Sequence, residues 1–305
     1  MSQQNLESFI SGLVQDRSTI RFVSQIDELK DAGSTASRLN KMLLVDGKVF
    51  TTKLEWHANR MCIHSVPESH LVSTGPAGIV SILTKAGKEE EEIDSTLDGP
   101  ERRGDICDMR VIGDHVYVCG MSRQVYRREG KNMWTRQDEG LVKPRGSFDL
   151  VGFNAIDGLT EKDILAVGFG GEIWRRQKQT WRQLESPTNV VLTALRVVKP
   201  NLAFACGQQG ILLRGRGDHW EVIAAEGTKE DLWGVEWFND KLYVASTNNL
   251  YTWDEKSNDL EKVTLDMKGK YTFSHLHQND GLLLSVGPKH VIYTEDGTKW
   301  VDTKA

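Results

Sequence analysis

The 305-residue chain has no apolar run near the roughly 20 residues that a membrane-spanning helix needs, so no span is expected. Met1 to Asp16 offers neither a basic leader nor a continuous apolar stretch, which argues against a secretion signal and makes the cytoplasm the expected compartment. Cysteine is scarce: four residues, with no Cys-x-x-Cys pair and no Cys/His zinc spacing. Cys119 and Cys206 hold the same place in two copies of an internal repeat, which keeps them apart; with Cys62 and Cys107 they are expected to be reduced, buried small hydrophobes. Nor is there a positive surplus. The formal net charge of −5 gives no global attraction to nucleic acid or anionic lipid. Gly168-Phe169-Gly170-Gly171-Glu172 has a phosphate loop's composition but joins two strand-like runs, so no helix N-terminus faces a phosphate. No Gly-x-Ser-x-Gly elbow occurs, and no Cys and His are paired by spacing. No catalytic residue, cofactor or enzyme activity is assigned.

What is present is a repeat. An apolar run ends in a small residue and glycine; a tight turn, a second apolar run, a polar hairpin and usually a tryptophan follow. Clear copies begin at Val116-Tyr117-Val118-Cys119-Gly120, Leu165-Ala166-Val167-Gly168, Ala203-Phe204-Ala205-Cys206-Gly207 and Leu283-Leu284-Ser285-Val286-Gly287. Weaker copies occur at Leu71-Val72-Ser73-Thr74-Gly75 and Leu242-Tyr243-Val244-Ala245-Ser246. The anchors Gly75, Gly120, Gly168, Gly207, Ser246 and Gly287 are 45, 48, 39, 39 and 41 residues apart, a period of stacked or radial supersecondary units. Each copy supplies four short runs, best seen at Leu195–Val198, Leu202–Cys206, Gly210–Leu213 and His219–Ile223. Four antiparallel strands repeated radially predict an all-β fold, a β-propeller of four-stranded blades. Continuous apolar second strands fit strands covered on both faces. Six copies run from residue 58 onward, and residues 17–57 supply an irregular blade or a closing strand. Seven blades are expected, with six as the alternative.

Ahead of the repeats, residues 3–15 read as a helix, because Leu6, Phe9, Ile10, Leu13 and Val14 fall at i, i+3, i+4, i+7 and i+8. That helix would cover one end of the β domain or dock a partner. Thr19 to Ile26 reads as a strand, with room for a short helix around Gln25 to Lys41. Met42 to Val45, the turn Asp46-Gly47, and Val49 to Glu55 form a hairpin signal. The expected division is residues 1–57, a helix plus an irregular blade, and residues 58–305, the repeats, in one structural domain. The acidic run Lys88 to Asp94 reads as a solvated loop tip.

The last copy contains Tyr293-Thr294-Glu295-Asp296-Gly297-Thr298-Lys299-Trp300. This resembles a shortened Asp-box, the Ser/Thr-x-Asp-(x)-Gly-x-x-Trp turn of sialidase-like and photosystem-assembly-type (BNR-like) propellers. The resemblance implies that Asp296 and Gly297 close the hairpin between third and fourth strands and that Trp300 packs between blades. Other copies keep the tryptophan, as Trp134, Trp181 and Trp220, but lose the Asp-Gly. Third strands repeat an aromatic at Tyr126, Trp174, Tyr251 and Tyr293, with Leu213 in the remaining copy. The resemblance covers most of the chain as architecture and one turn as motif, and it implies a fold without an activity. A sialidase-type site would need an arginine triad, a Tyr–Glu pair and an acid Asp. No early Arg-x-Pro phrase is present, and the conspicuous arginines sit on third strands rather than on the central first strands.

Ser274-His275-Leu276-His277 places two histidines on one strand face, with His64 as a third candidate, but no carboxylate follows at matching spacing. No metal is assigned. The informative pattern is electrostatic. Three successive copies carry basic residues on the third strand and its hairpin: Arg127, Arg128 and Lys131; Arg175, Arg176 and Lys178; Arg214 and Arg216. Strand alternation lets about half share a face, forming a basic arc that docks an acidic protein surface or a nucleic-acid backbone, or simply blocks edge pairing. The opposite rim includes the long loop Asp138 to Phe148, with Lys143 and Arg145, and Ala225 to Leu232, near which Trp233, Trp237 and Phe238 cluster. Arg127, Arg128, Lys131, Arg175, Arg176, Arg214, Arg216, Lys143, Arg145 and Trp233 are thus the candidate partner contacts. The function expected is a non-catalytic protein-binding scaffold, in one form a bacterial immunity protein that occludes a basic toxin. The alternatives are an assembly factor or adaptor, a glycan-acting enzyme, and nucleic-acid binding through the basic arc.

Overall fold

The computed structural model describes residues 7–141, 150–224 and 226–304. Among them are seven four-stranded antiparallel sheets, each built from strands consecutive in sequence, the blade construction of a β-propeller. Blades one to seven span residues 7–54, 60–92, 106–136, 153–184, 192–223, 232–262 and 275–302. They fall into two compact units: blades two to five make one, and blades six, seven and one make the other.

In the unit of residues 60–223, the first strands stand side by side: Arg60–His64, Ile106–Ile112, Phe153–Thr160 and Leu192–Lys199. The second strands are buried on both faces, and alternate residues of blade three's serve opposite neighbours. In His115–Gly120, Val116 and Val118 join Val72, Val80 and Ile82 of blade two, while Tyr117 and Cys119 join Phe153, Ile156 and Ile164 of blade four. The repeat's anchor glycine follows from this crowding. A Cβ on Gly120, Gly168 or Gly207 would lie 2.1, 1.8 or 2.1 Å from a carbonyl oxygen just before the same blade's first strand (Asp105, Gly152 and Val191).

In the other unit, the first strand of blade seven (His275–Asn279) lies between those of blade six (Leu232–Phe238) and blade one (Glu7–Asp16). Phe9, Val14, Ile20 and Phe22 pack with Leu282, Leu284, Val286 and Val291. Gly12 is the point of closest approach, since its Cβ would meet Val286 Cγ2 at 2.8 Å. The Val14 amide donates to His277 Nδ1 (3.2 Å), Arg17 pairs with Glu295 (2.7 Å), and Lys289 pairs with Asp27. In the turn 294–300, Asp296 Oδ1 accepts from the backbone N–H of Thr298 (2.7 Å) and Lys299 (2.8 Å). Those backbone donors, Lys299's first and then Thr298's, hold the carboxyl down at about 2. Gly297 has φ +77°, and its Cβ would lie 2.0 Å from the Tyr243 hydroxyl.

Two expectations are corrected here. The helix expected at residues 3–15 is the strand Glu7–Asp16, paired with Thr19–Ile26; Leu6 lies outside the described residues. This strand is covered on both sides, so Ser11, Gly12, Leu13 and Val14 are all buried, and register shifts at Phe9/Ser11 and Val14/Asp16 break the strict alternation. The resulting apolar spacing imitates a helical stripe. Helix in this region is a single turn, Asp27–Asp31. The acidic run is no loop tip either: Lys88–Glu92 is the fourth strand of blade two, and Glu91 is buried.

Gly168→Ala is expected to destabilise the protein by about 1–3 kcal/mol through overpacking. Gly130→Ala, whose added Cβ meets nothing within 4 Å, is expected to be near neutral. Urea midpoints of the two variants check this, and equal midpoints would contradict it.

Candidate partner-binding surface

The third strands of blades three and four are Val125–Gly130 and Ile173–Gln177. Because successive side chains point to opposite faces, each arginine pair splits, one member reaching the following blade and the next reaching the preceding one. Arg127 donates to Glu161 of blade four (2.9 Å) and pairs with Glu129 on its own blade (2.7 Å). Arg128 turns back to blade two and grips Glu91 with two bonds, Nη2 to Oε1 at 2.7 Å and Nε to Oε2 at 2.9 Å. Arg175 reaches forward to Asp218 of blade five (2.7 Å) while pairing with Asp163 (2.5 Å). Arg176 turns back, donating to Gln137 Oε1 (2.7 Å) and the Glu161 carbonyl oxygen (3.5 Å).

These arginines hold adjacent blades together. Arg128, Arg175 and Arg176 are buried, so their charges are spent on protein carboxylates and amides rather than offered to solvent. Lys131 pairs with Glu89 at 2.7 Å with both groups exposed, a contact worth about 0–1 kcal/mol. Arg214 is half-buried and pairs across strands with Glu221 (2.8 Å), and Arg216 is exposed. Trp233 is 40% exposed and its indole N–H donates to Thr247 Oγ1 (2.9 Å). Phe238 is buried and Trp237 half-buried. Lys143 and Arg145 lie outside the described residues.

Of the candidates, the structure brings Arg127 and Arg176 to one opening, a groove of about 650 Å³. Glu161, Lys162, Gln137 and Lys178 also line it. Lys162 sits in the turn between the first and second strands of blade four, and Lys178 in the turn between its third and fourth. Of the acids that meet these arginines, Glu91 lies in the run expected to be a solvated loop tip, and Glu161, Asp163 and Asp218, in or beside turns between strands, carry no repeated signature.

The carboxylates record this environment. Burial pushes Glu91 up, but the hydrogen bonds and charge of Arg128, the Asn132 N–H and the Trp134 indole outweigh it and hold the group below its ordinary range. Burial is likewise outweighed at Glu161, by His115, Tyr117 and Arg127. Asp218 is lowered by the Arg182 hydrogen bond first, against burial, with Arg175 adding to it. Burial pushes the Cys62 and Cys206 thiols up to about 12 and Cys107 to about 11, with Cys119 well raised too, which leaves little thiolate near neutral pH. His64 bonds the Asp114 carbonyl oxygen (2.8 Å), and His277 accepts from Val14. Among the described residues, no group of three His, Cys, Asp or Glu side chains is arranged to hold a metal ion. Among the same residues, no helix is long and apolar enough to cross a membrane.

Immune protein Tsi7 of Pseudomonas aeruginosa (strain PAO1) is 38% identical over 247 residues, covering 81% of this chain and 80% of that protein. Among solved structures, the WD40 β-propeller domain of Doa1 superposes with a TM-score of 0.69 at 13% identity, over 95% of this chain and 93% of its own. The RRP9 WD40 repeats give 0.67 at 14%, over 92% and 87% of the two chains. YCF48 bound to D1 peptide gives 0.58 at 15%, over 76% and 77%. At such identities these structures establish the fold, a seven-bladed β-propeller, and no more. No known protein-family model matches the chain, that of the Asp-box repeat included.

Arg128→Ala leaves the Glu91 charge buried and unmatched, an expected loss of about 3–5 kcal/mol at pH 7. A carboxyl lowered in the folded state contributes stability above its unfolded pKa and loses it as the pH falls through the folded value. The gap between wild type and Arg128→Ala should therefore shrink as the pH is taken down to about 3, where Glu91 protonates in the variant without penalty. Urea unfolding at both pH values decides the point; a gap that does not change with pH would contradict it.

Proposed function

The chain belongs to the family of Immune protein Tsi7, and from that premise we propose that it is itself an immunity protein: a non-catalytic β-propeller scaffold that binds a toxin and neutralises it by occlusion. The observation that carries this reading is 38% identity sustained across four fifths of both chains, far above the 13–15% seen with propellers that share only the fold. The physical character of the molecule supports it. Occlusion needs a rigid face that buries on the order of 800 Å² per partner, and blades fastened by buried arginine–carboxylate bonds supply rigidity without moving parts. Three of its thiols are buried, Cys107 is only half-buried against the expectation for all four, and Arg128, Arg175 and Arg176 are engaged within the protein, so the surface is suited to shape and charge complementarity more than to reaction chemistry.

The partner is accordingly a protein, met in the cytoplasm. The formal net charge of −5 resides entirely in residues 224–305, since acidic and basic residues balance in 1–223. That surplus suits a partner with a basic patch, which long-range attraction would steer into place. The Asp-box likeness fits this reading as a structural turn in a binding scaffold, with no catalytic residue attached.

A tagged chain is expected to retain one protein at 1:1 from native lysate after nuclease treatment. Cells producing that protein alone should stop growing and should recover when this chain is co-produced. Capture of nothing but nucleic acid, or a captured protein with no effect on growth, would overturn the proposal.

A further inference from the structure

We infer that the groove between blades three and four receives an acidic segment of the protein partner; this rests on the immunity reading. Among the described residues four cations line the groove, Arg127, Lys162, Arg176 and Lys178, with Glu161 as the carboxylate in the lining and Glu129 paired with Arg127 beside it. The Glu161 carboxylate is already occupied, accepting from Tyr117 (2.9 Å) and Arg127 (2.9 Å) and bonding His115 (2.6 Å). Lys162 and Lys178 stand exposed on their turns, and among the described residues neither has an ion-pair partner. Arg176 is 94% buried, yet its Nε has no hydrogen-bond acceptor while its two terminal nitrogens are engaged. A buried guanidinium N–H without an acceptor is costly and calls for one. A carboxylate entering the groove would take charge-assisted bonds from the Lys162 and Lys178 ammonium groups, with the incompletely satisfied Arg176 guanidinium behind them adding to the attraction.

The surroundings favour a protein segment over other anions. Among the described residues the lining contains no aromatic ring on which a base could stack. It is open and polar rather than an enclosed apolar pocket of the kind that holds small ligands. Across the turn that carries Glu161 and Lys162 lies a second hollow, of about 230 Å³, lined by Leu159, Val197 and Pro200. Leu159 is 45% exposed there. Basic groove and apolar hollow therefore flank one turn, a pair of features that a peptide carrying carboxylates beside an apolar side chain would fill together.

The test uses the full chain and the double substitution Lys162→Glu/Lys178→Glu, on exposed turns that leave the blade core untouched. The captured complex is measured at low and high salt. The expected result is at least about tenfold weaker binding by the variant and a shallower salt dependence. Carbodiimide treatment of the wild-type complex should also link Lys162 or Lys178 to a partner carboxylate. A complex that survives charge reversal unchanged overturns this inference while the immunity reading stands. If the wild type captures no protein, the immunity reading fails instead, and titration with the peptide acetyl-Glu-Glu-Glu-Glu-amide decides the groove. Peptide binding that the double variant loses supports the groove. Equal binding by both chains, no binding, or binding of oligothymidylate alone overturns it. Arg176→Met, verified as folded by near-ultraviolet circular dichroism, should weaken the same binding.

Discussion

A four-stranded blade has two apolar faces, and within each compact unit the faces that meet are covered by the neighbouring blade. That covering is the constraint on which the rest depends. It makes the second strand of blade three apolar from Val116 to Cys119, so that Val116 and Val118 serve one neighbour while Tyr117 and Cys119 serve the other. It pushes the second strand's end against its own blade's beginning, where only glycine fits at 120, 168 and 207. It also leaves the chain's first blade in need of a partner, which blade seven supplies through Leu284, Val286 and the contact at Gly12.

Toward the outer strands the same demand is met by charge. Arginines in adjacent positions on a third strand face opposite neighbours, and each finds acceptors there: Glu91 behind and Glu161 ahead of blade three, Gln137 behind and Asp218 ahead of blade four. A bidentate pair buried between sheets is costly to desolvate, and removing one partner costs more than the pair contributes when intact. Such a contact fixes the register between blades more than it adds stability. For a scaffold that works by presenting a fixed surface, register matters more than margin. Where the demand is not fully met, at Arg176 Nε beside Lys162 and Lys178, surplus positive charge is left at the surface.

The propeller was legible because its cause is local and repeated. The glycine anchors, the paired apolar runs and the late tryptophans each reflect one blade's own geometry, so a single sequence displays them several times. The first strand was misread for the converse reason. Covering on both faces and two register shifts turned Phe9, Leu13 and Val14 into an apparent helical stripe, although Gly12 in its middle is a poor helix residue. The basic residues were legible as a pattern but not as bonds. Nothing near Arg128 in sequence points to Glu91, 37 residues earlier in a run that looks like a solvated acidic tip. Lys162 carries no repeated signature, and its meeting with Arg127 and Arg176 exists only once blades three and four are side by side. Partner surfaces are assembled from turns of different blades, and for that reason a repeat pattern shows the scaffold more clearly than the site.

Neutralisation by occlusion has a stoichiometry, and measuring it is the most direct test. The activity of the captured partner would be titrated with increasing amounts of this chain. The scaffold account predicts a loss that is linear in added chain, complete at one equivalent, independent of incubation time, and reversed when the complex is dissociated. Inactivation that proceeds with time at a small fraction of an equivalent, and that persists after the chain is removed, would contradict it and identify a catalyst.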